Sequence, residues 1–398
     1  MKVICETGNY PGGQKIRAAR VVYDVPVDPF SIAEDTFEVE NRTVTGFSVD
    51  GNTVILDLDI RDAAASLIPG PGPRKGPGGP KPGEKHDGPP PDMPAAVRRN
   101  VEVKVRQNSP IRDMNGNEIA GDDGFVLSSQ SYEPVVEDFR QFTYKGLGYN
   151  LFIPANPEGK KLPLVYFLHD AGPCGDDTKI TLSQGNGAVT WAKPEWQAKH
   201  PCYVLAPQIP RSVRLTNDRF EASQELHILK EMIDYVAEHY EVDKKRIYAT
   251  GQSMGCMSTC EMNILWPDYF AASMLVAGQW DPTRMGNACA GCRFWILVSN
   301  HDAKAFPGMN AVTEALAANG AKVKRYLWNA KSTPAEFDAL VQSALKDDVN
   351  VRYTVFQGST VVPEEKEMNP GANHVSTWPV AYEIEGVKEW LFSNSKES

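Results

Sequence analysis

Residues 246–260 read RIYATGQSMGCMSTC, a short apolar run that enters Gly251-Gln252-Ser253-Met254-Gly255 and leaves as an apolar pattern with helical spacing. This G-x-S-x-G pattern constrains the chain more than any other stretch. The bare motif is common, and it gains force only where a strand precedes it and a helix follows. Here Ile247, Tyr248 and Ala249 supply the strand, and Met254, Met257, Met262 and Leu265 supply a helix that stops before Pro267. A serine hydroxyl is a weak nucleophile at neutral pH. It needs a tight turn that presents it to a base and to a helix N-terminus that favours negative charge. Ser253 is therefore the candidate nucleophile.

A serine nucleophile requires a base, and the base requires a carboxylate to fix its tautomer; on a strand-elbow-helix scaffold the chain order is serine, acid, histidine. Only His301 and His374 follow Ser253, and His301 abuts the best acid candidate instead of following it. His374, in Gly371-Ala372-Asn373-His374, is the expected base, placed in a loop between the last strand and the last helix. The strand Phe294 to Ser299 ends in Asn300-His301-Asp302, which makes Asp302 the expected acid, with Asp281 one strand earlier as the alternative. The oxyanion of acyl transfer needs two backbone N–H donors. Met254 is expected to supply one and Ala171, in His169-Asp170-Ala171-Gly172, the other.

The rest of the chain supplies a context for this constellation. Residues 15–67 alternate apolar and polar in short runs broken by turn signals such as Asp50-Gly51-Asn52, which predicts an all-β domain. Residues 69–94 abandon periodicity for proline and glycine and are expected to be a solvated insertion, because strand signals resume at 101–106 and 124–127. From residue 136 onward strands and helices alternate: strands at 139–143, 147–154, 162–168, 203–206, 271–277, 294–299 and 352–356, and helices at 221–240, 309–319, 334–345 and 378–393. Such alternation predicts a mainly parallel sheet with helices on both faces. The expected organisation is an all-β domain, a small sandwich, over 1–135 and a domain built on that mainly parallel sheet over 136–398.

Among these residues, HxAG at 169–172, GQSMG at 251–255, the Asp302 turn and the closing HVSTW resemble the α/β-hydrolase group of esterases and predicted peptidases related to feruloyl esterases and polyhydroxybutyrate depolymerases. The β domain, beginning GQKIRAARVVYD, is similar to the immunoglobulin-like N-terminal module that some esterases of this group carry. The resemblance implies hydrolysis of carboxylic esters, feruloyl or other plant-cell-wall or small aryl esters among them, with no cofactor and no metal. An oligopeptidase using the same triad, and a non-enzymatic binding protein on a hydrolase fold, remain as alternatives. Two positions depart from the group's pattern. Asp170 stands where glycine is usual, so either its carboxylate points away from the oxyanion or the oxyanion site is impaired, and Cys256 stands where glycine is frequent.

The formal charge of −10 over 398 residues, without a block of like charge, disfavours nucleic acid or an anionic membrane as partner. The expected partner is a small or polymer-linked ester, with assembly into a homo-oligomer through the N-terminal domain as a further expectation. Seven scattered cysteines do not form a disulfide framework. Cys289-Ala290-Gly291-Cys292 reads as a structural pair of thiols instead of a metal or redox site, and Cys256 and Cys260 share a helix face as core residues. Without an apolar leader segment the chain is expected in the cytoplasm, or outside the cell if a signal peptide has been removed.

Overall fold

The structure, a computed structural model, describes residues 1–69, 95–156 and 158–396. Contacts divide the chain into two compact units that meet in sequence between Glu137 and Asp138, two residues beyond the expected boundary. The proline- and glycine-rich segment, apart from its first residue, lies outside the described residues.

The first unit contains β1 (Lys2–Tyr10), β2 (Gly13–Val22), β3 (Phe37–Val39), β4 (Val44–Asp50), β5 (Thr53–Leu58), β6 (Lys104–Gln107), β7 (Ile111–Arg112), β8 (Glu118–Ile119), β9 (Val126–Leu127) and β10 (Gln130–Tyr132). Five strands pair in the order β10-β1-β2-β5-β4 and three in the order β3-β6-β9. Alternation makes this a sandwich: Val3, Cys5, Ala19, Val21, Val54 and Leu56 from the larger sheet share one core with Phe37, Val39 and Val105 from the smaller. Strand β1 escaped the sequence reading because a register shift between Glu6 and Thr7 breaks its period of two. Glu6 is fully buried there, and Arg17 and Arg20 neutralise it.

The second unit carries one nine-stranded sheet. Its strands are β11 (Phe139–Tyr144), β12 (Leu147–Phe152), β13 (Leu162–Leu168), β14 (Tyr203–Pro207), β15 (Val242–Gln252), β16 (Ala272–Val276), β17 (Phe294–Ser299), β18 (Val323–Trp328) and β19 (Val351–Phe356). They lie in the order β11-β12-β14-β13-β15-β16-β17-β19-β18, antiparallel among β11, β12 and β14 and parallel from β14 onward. The helices are α1 (Ile180–Ser183), α2 (Pro194–Lys199), α3 (Glu225–His239), α4 (Met254–Leu265), α5 (Pro282–Cys289), α6 (Ala305–Ala318), α7 (Pro334–Leu345), α8 (Pro370–Ala381) and α9 (Glu385–Phe392). This is the mainly parallel sheet expected from the alternation of elements, and it has the α/β-hydrolase arrangement that the resemblance implied.

Strand β15 organises the unit because both its faces are covered. Ile247 and Ala249 pack with Leu229, Ile233 and Val236 of α3, while Tyr248, one residue out of phase, meets Phe392 of α9 at 5.0 Å between ring centroids. Burying each large apolar side chain contributes about 2 kcal/mol, which fixes the strand's register and with it the place where it ends. Three elements differ from the sequence reading. Strand β18 is absent from the sequence reading because Lys324 and Arg325 keep its surface charged. Helix α5 was missed between two strands. The single closing helix expected over 378–393 is two helices, α8 and α9, so His374 stands on a helix and not in a loop. Asn369 caps that helix by accepting from the Ala372 N–H at 2.8 Å, and Pro370 occupies its first position.

Candidate active site

Parallel strands deliver their carboxyl ends to one edge of a sheet, and the chemistry-bearing residues collect there. Strand β15 ends at Gln252, and Ser253 follows with φ 51° and ψ −116°, a left-handed conformation that costs a non-glycine residue free energy. Two glycines make the turn possible. A Cβ on Gly251 would overlap the Gly255 backbone, and a Cβ on Gly255 would overlap the carbonyl oxygens of Leu168 and His169. The elbow therefore seats the start of α4 directly against the end of β13. Cys256, the first departure from the group's pattern, is accommodated because its partner is a glycine: a Cβ on Gly278 would collide with the Cys256 side chain.

The Ser253 Oγ lies 2.8 Å from His374 Nε2, and His374 Nδ1 lies 2.5 Å from Asp302 Oδ2. The carboxylate requires the imidazole to carry its proton on Nδ1, which leaves Nε2 free to accept from the serine hydroxyl. The other oxygen of Asp302 accepts the backbone N–H groups of Lys304 at 3.0 Å and Ala305 at 2.9 Å. Burial works against the imidazolium of His374, yet the Asp302 carboxylate and its hydrogen bond outweigh it, so the histidine pKa stands above its ordinary value. Asp170 acts in the same direction and Lys304 opposes it. For Asp302 burial favours the neutral acid, but His374 and the two backbone donors prevail and hold its pKa below the usual carboxylate range.

Asp281, the alternative acid, is committed elsewhere. It caps α5, accepting from the N–H groups of Thr283 at 2.9 Å and Arg284 at 3.1 Å. His301 faces Ser359 Oγ at 3.0 Å and takes no part in the chain of hydrogen bonds from Ser253. Cys256, Cys260, Cys289 and Cys292 are all free thiols, and the first three are buried in one apolar cluster.

Met254 opens α4 next to Ser253, and Ala171 follows β13, so both expected oxyanion donors lie on the segments that meet at the elbow. Several residues that hold this arrangement were not singled out from sequence. His169 is fully buried; its Nδ1 donates to the Asp170 carbonyl at 2.6 Å and its Nε2 accepts from the Ile209 N–H at 3.0 Å. Burial lowers its pKa, which suits this neutral tautomer. Asn373 is 2% exposed and accepts from Ser299 Oγ at 2.9 Å, which ties the first turn of α8 to the end of β17 and thereby His374 to Asp302. The Asn369-Pro370 pair was a readable start signal for that helix. Two clefts, of about 610 and 620 Å³, are lined by Lys244, Arg293, Asn350 and their neighbours at the opposite edge of the sheet. The hydrogen-bonded chain, and not cleft size, marks the reactive edge.

Residues 1–120 match the esterase Ig-like N-terminal domain. The chain joins an Ig-like esterase domain to an α/β-hydrolase domain. A thermostable esterase of known crystal structure is similar over 99% of both chains, with a TM-score of 0.77 and 25% identity. The feruloyl esterase module from Clostridium thermocellum, at a TM-score of 0.40 and 15% identity over 63% of this chain and 88% of its own, is a distant likeness. So is a puromycin hydrolase, at 0.43 and 14% over 74% of this chain and 46% of its own. No curated protein matches. The likeness to the thermostable esterase spans both units of this chain, which has the architecture of an ester hydrolase.

Proposed function

We propose that the protein hydrolyses carboxylic esters, feruloyl or other plant-cell-wall or small aryl esters among them, through an acyl-enzyme on Ser253. The observation that carries this reading is the unbroken series of hydrogen bonds from Ser253 through His374 to Asp302 at the end of β15. The whole-chain likeness to a thermostable esterase supports ester over amide as the bond attacked.

In the first half-reaction the Ser253 Oγ forms a bond to the ester carbonyl carbon while His374 Nε2 takes the hydroxyl proton. The negative charge moves to the carbonyl oxygen, where the N–H groups of Met254 and Ala171 stabilise it. Collapse of this intermediate breaks the bond to the alcohol, and the imidazolium returns its proton to the departing oxygen. Water then repeats the sequence on the acyl-enzyme with His374 again as base and releases the acid. Asp302 stays ionised throughout, orienting the imidazole and stabilising its charged form.

The test is turnover on a panel of feruloyl, acetyl and short-chain aryl esters beside short peptides, for the native protein and for Ser253→Ala. Ester turnover that falls by about a thousandfold or more in the variant is the expected result. Cleavage of peptides without esters would assign the same triad to an oligopeptidase, and an unaffected Ser253→Ala would remove Ser253 from the mechanism.

A further inference from the structure

The carboxylate of Asp170 creates a problem that the hydrolase domain solves structurally. Asp170 stands between His169 and Ala171, on the segment expected to supply an oxyanion donor, and a free carboxylate there would repel the charge that develops in acyl transfer. Both of its oxygens are occupied. Oδ2 accepts the Gly172 N–H at 3.1 Å, and Oδ1 accepts from Gln252 Nε2 at 2.9 Å. Gln252 is the residue immediately before the nucleophile and is fully buried. The same Nε2 lies 3.2 Å from Gln184 Oε1, while Gln252 Oε1 has no partner among the described residues. That one-sided satisfaction fixes which way the amide faces, because the reverse orientation would set its oxygen against the Asp170 carboxylate.

We propose that Gln252 is a positioning residue that clamps the Asp170 carboxylate out of the oxyanion space and locks the segment 169–172 to the end of the nucleophile strand. The His169 ring holds the backbone of this segment through the Asp170 carbonyl, and Gln252 holds its side chain, so the segment is pinned from two sides. The charge kept in place by the clamp also faces His374, on which it favours the imidazolium. Gln252 and Asp170 thus act as a unit: one supplies a fixed negative charge near the base, and the other prevents that charge from reaching the reacting carbonyl.

This inference rests on the reading of Ser253 as nucleophile, and its test separates the two. Gln252→Leu keeps the volume and removes the donor, and it is expected to lower kcat by about tenfold or more, the cost of a disturbed oxyanion site, with KM changed by less than about twofold. Adding Asp170→Gly to Gln252→Leu removes the loosened carboxylate and is expected to recover most of the loss. A purely structural role for Gln252 predicts no such rescue. Asp170→Asn, which keeps a side chain able to meet Gln252, is expected to shift the acid limb of the kcat/KM profile to lower pH because His374 loses a neighbouring negative charge. An unchanged kcat in Gln252→Leu, or a double variant no faster than the single one, overturns the proposal. Should Gln252→Leu fail to fold by circular dichroism, the same comparison is made with Gln252→Met, and unchanged kcat in that variant, or no rescue of it by Asp170→Gly, overturns the proposal. Full activity in Ser253→Ala would refute the reaction assigned to the site, a result none of these variants can mimic.

Discussion

At the scale of residues, the two candidate acids are separated by what already holds them. Asp302 spends one oxygen on His374 and the other on backbone donors of its own turn, whereas both donors to Asp281 come from the helix it caps. Asp302→Asn is expected to lower kcat by about a thousandfold or more, since the amide supports the wrong imidazole tautomer. Asp281→Asn keeps a good helix cap and should leave kcat within about threefold. A larger effect at 281 than at 302, measured on one ester, would exchange their roles. The pH dependence follows from the same contacts. His374 must be neutral to accept the serine proton, and its pKa is raised in the folded protein, so activity is absent below that pKa and appears as pH rises through it. The acid limb of kcat/KM should lie above the ordinary histidine value of 6.5. Asp302→Asn should move the residual limb downward, because the carboxylate that favours the imidazolium is gone. A limb at or below 6.5 in the native protein would mean that another group controls it.

At the scale of elements, the elbow and the end of β13 form one unit whose tolerance is set by backbone contacts. Gly255→Ala places a methyl group against the carbonyl oxygens of Leu168, the last residue of β13, and of His169 just beyond it, and a cost of about 3 kcal/mol in stability is expected. Gly291→Ala, which meets nothing within 4 Å, serves as the control. Thermal unfolding of the two variants should differ by several degrees, and equal midpoints would show that α4 can shift away from β13. The elbow was legible in sequence because its flanks carried the two periodicities of strand and helix side by side. Order along the chain then selected His374 and ranked Asp302 over Asp281, without any knowledge of distance. What could not be read were the supports. His169, Gln252 and Asn373 act through partners 40, 82 and 74 residues away, and no local pattern encodes such a pairing. The sequence-based reading also erred where polarity and secondary structure part company: β18 is a strand with a charged surface, and α8 is a helix that tolerates Pro379 near its end and therefore looked like a loop before residue 378.

At the scale of the whole molecule, the two sheets end in different ways. Strand β18 closes the large sheet with Lys324 and Arg325 on its length and Lys322 just before it, a row of charge that discourages pairing with another strand. Strand β4 closes the five-stranded sheet of the Ig-like domain with Val44-Thr45-Gly46-Phe47-Ser48-Val49-Asp50, where the only charge stands at the last position and Phe47 is 36% exposed. We propose that this edge pairs with β4 of a second copy about a twofold axis, extending the sheet across both copies. Phe47→Lys is expected to lower the mass seen by light scattering, and an unchanged mass across a hundredfold dilution would leave β4 without this role. With such pairing, protein supply becomes a control on form: at scarce expression the chain would work alone, and at abundant expression it would present two reactive serines per particle. A substrate bearing many ester groups on one polymer would then feel the difference as slower departure from its surface, although neither site had changed by a single atom.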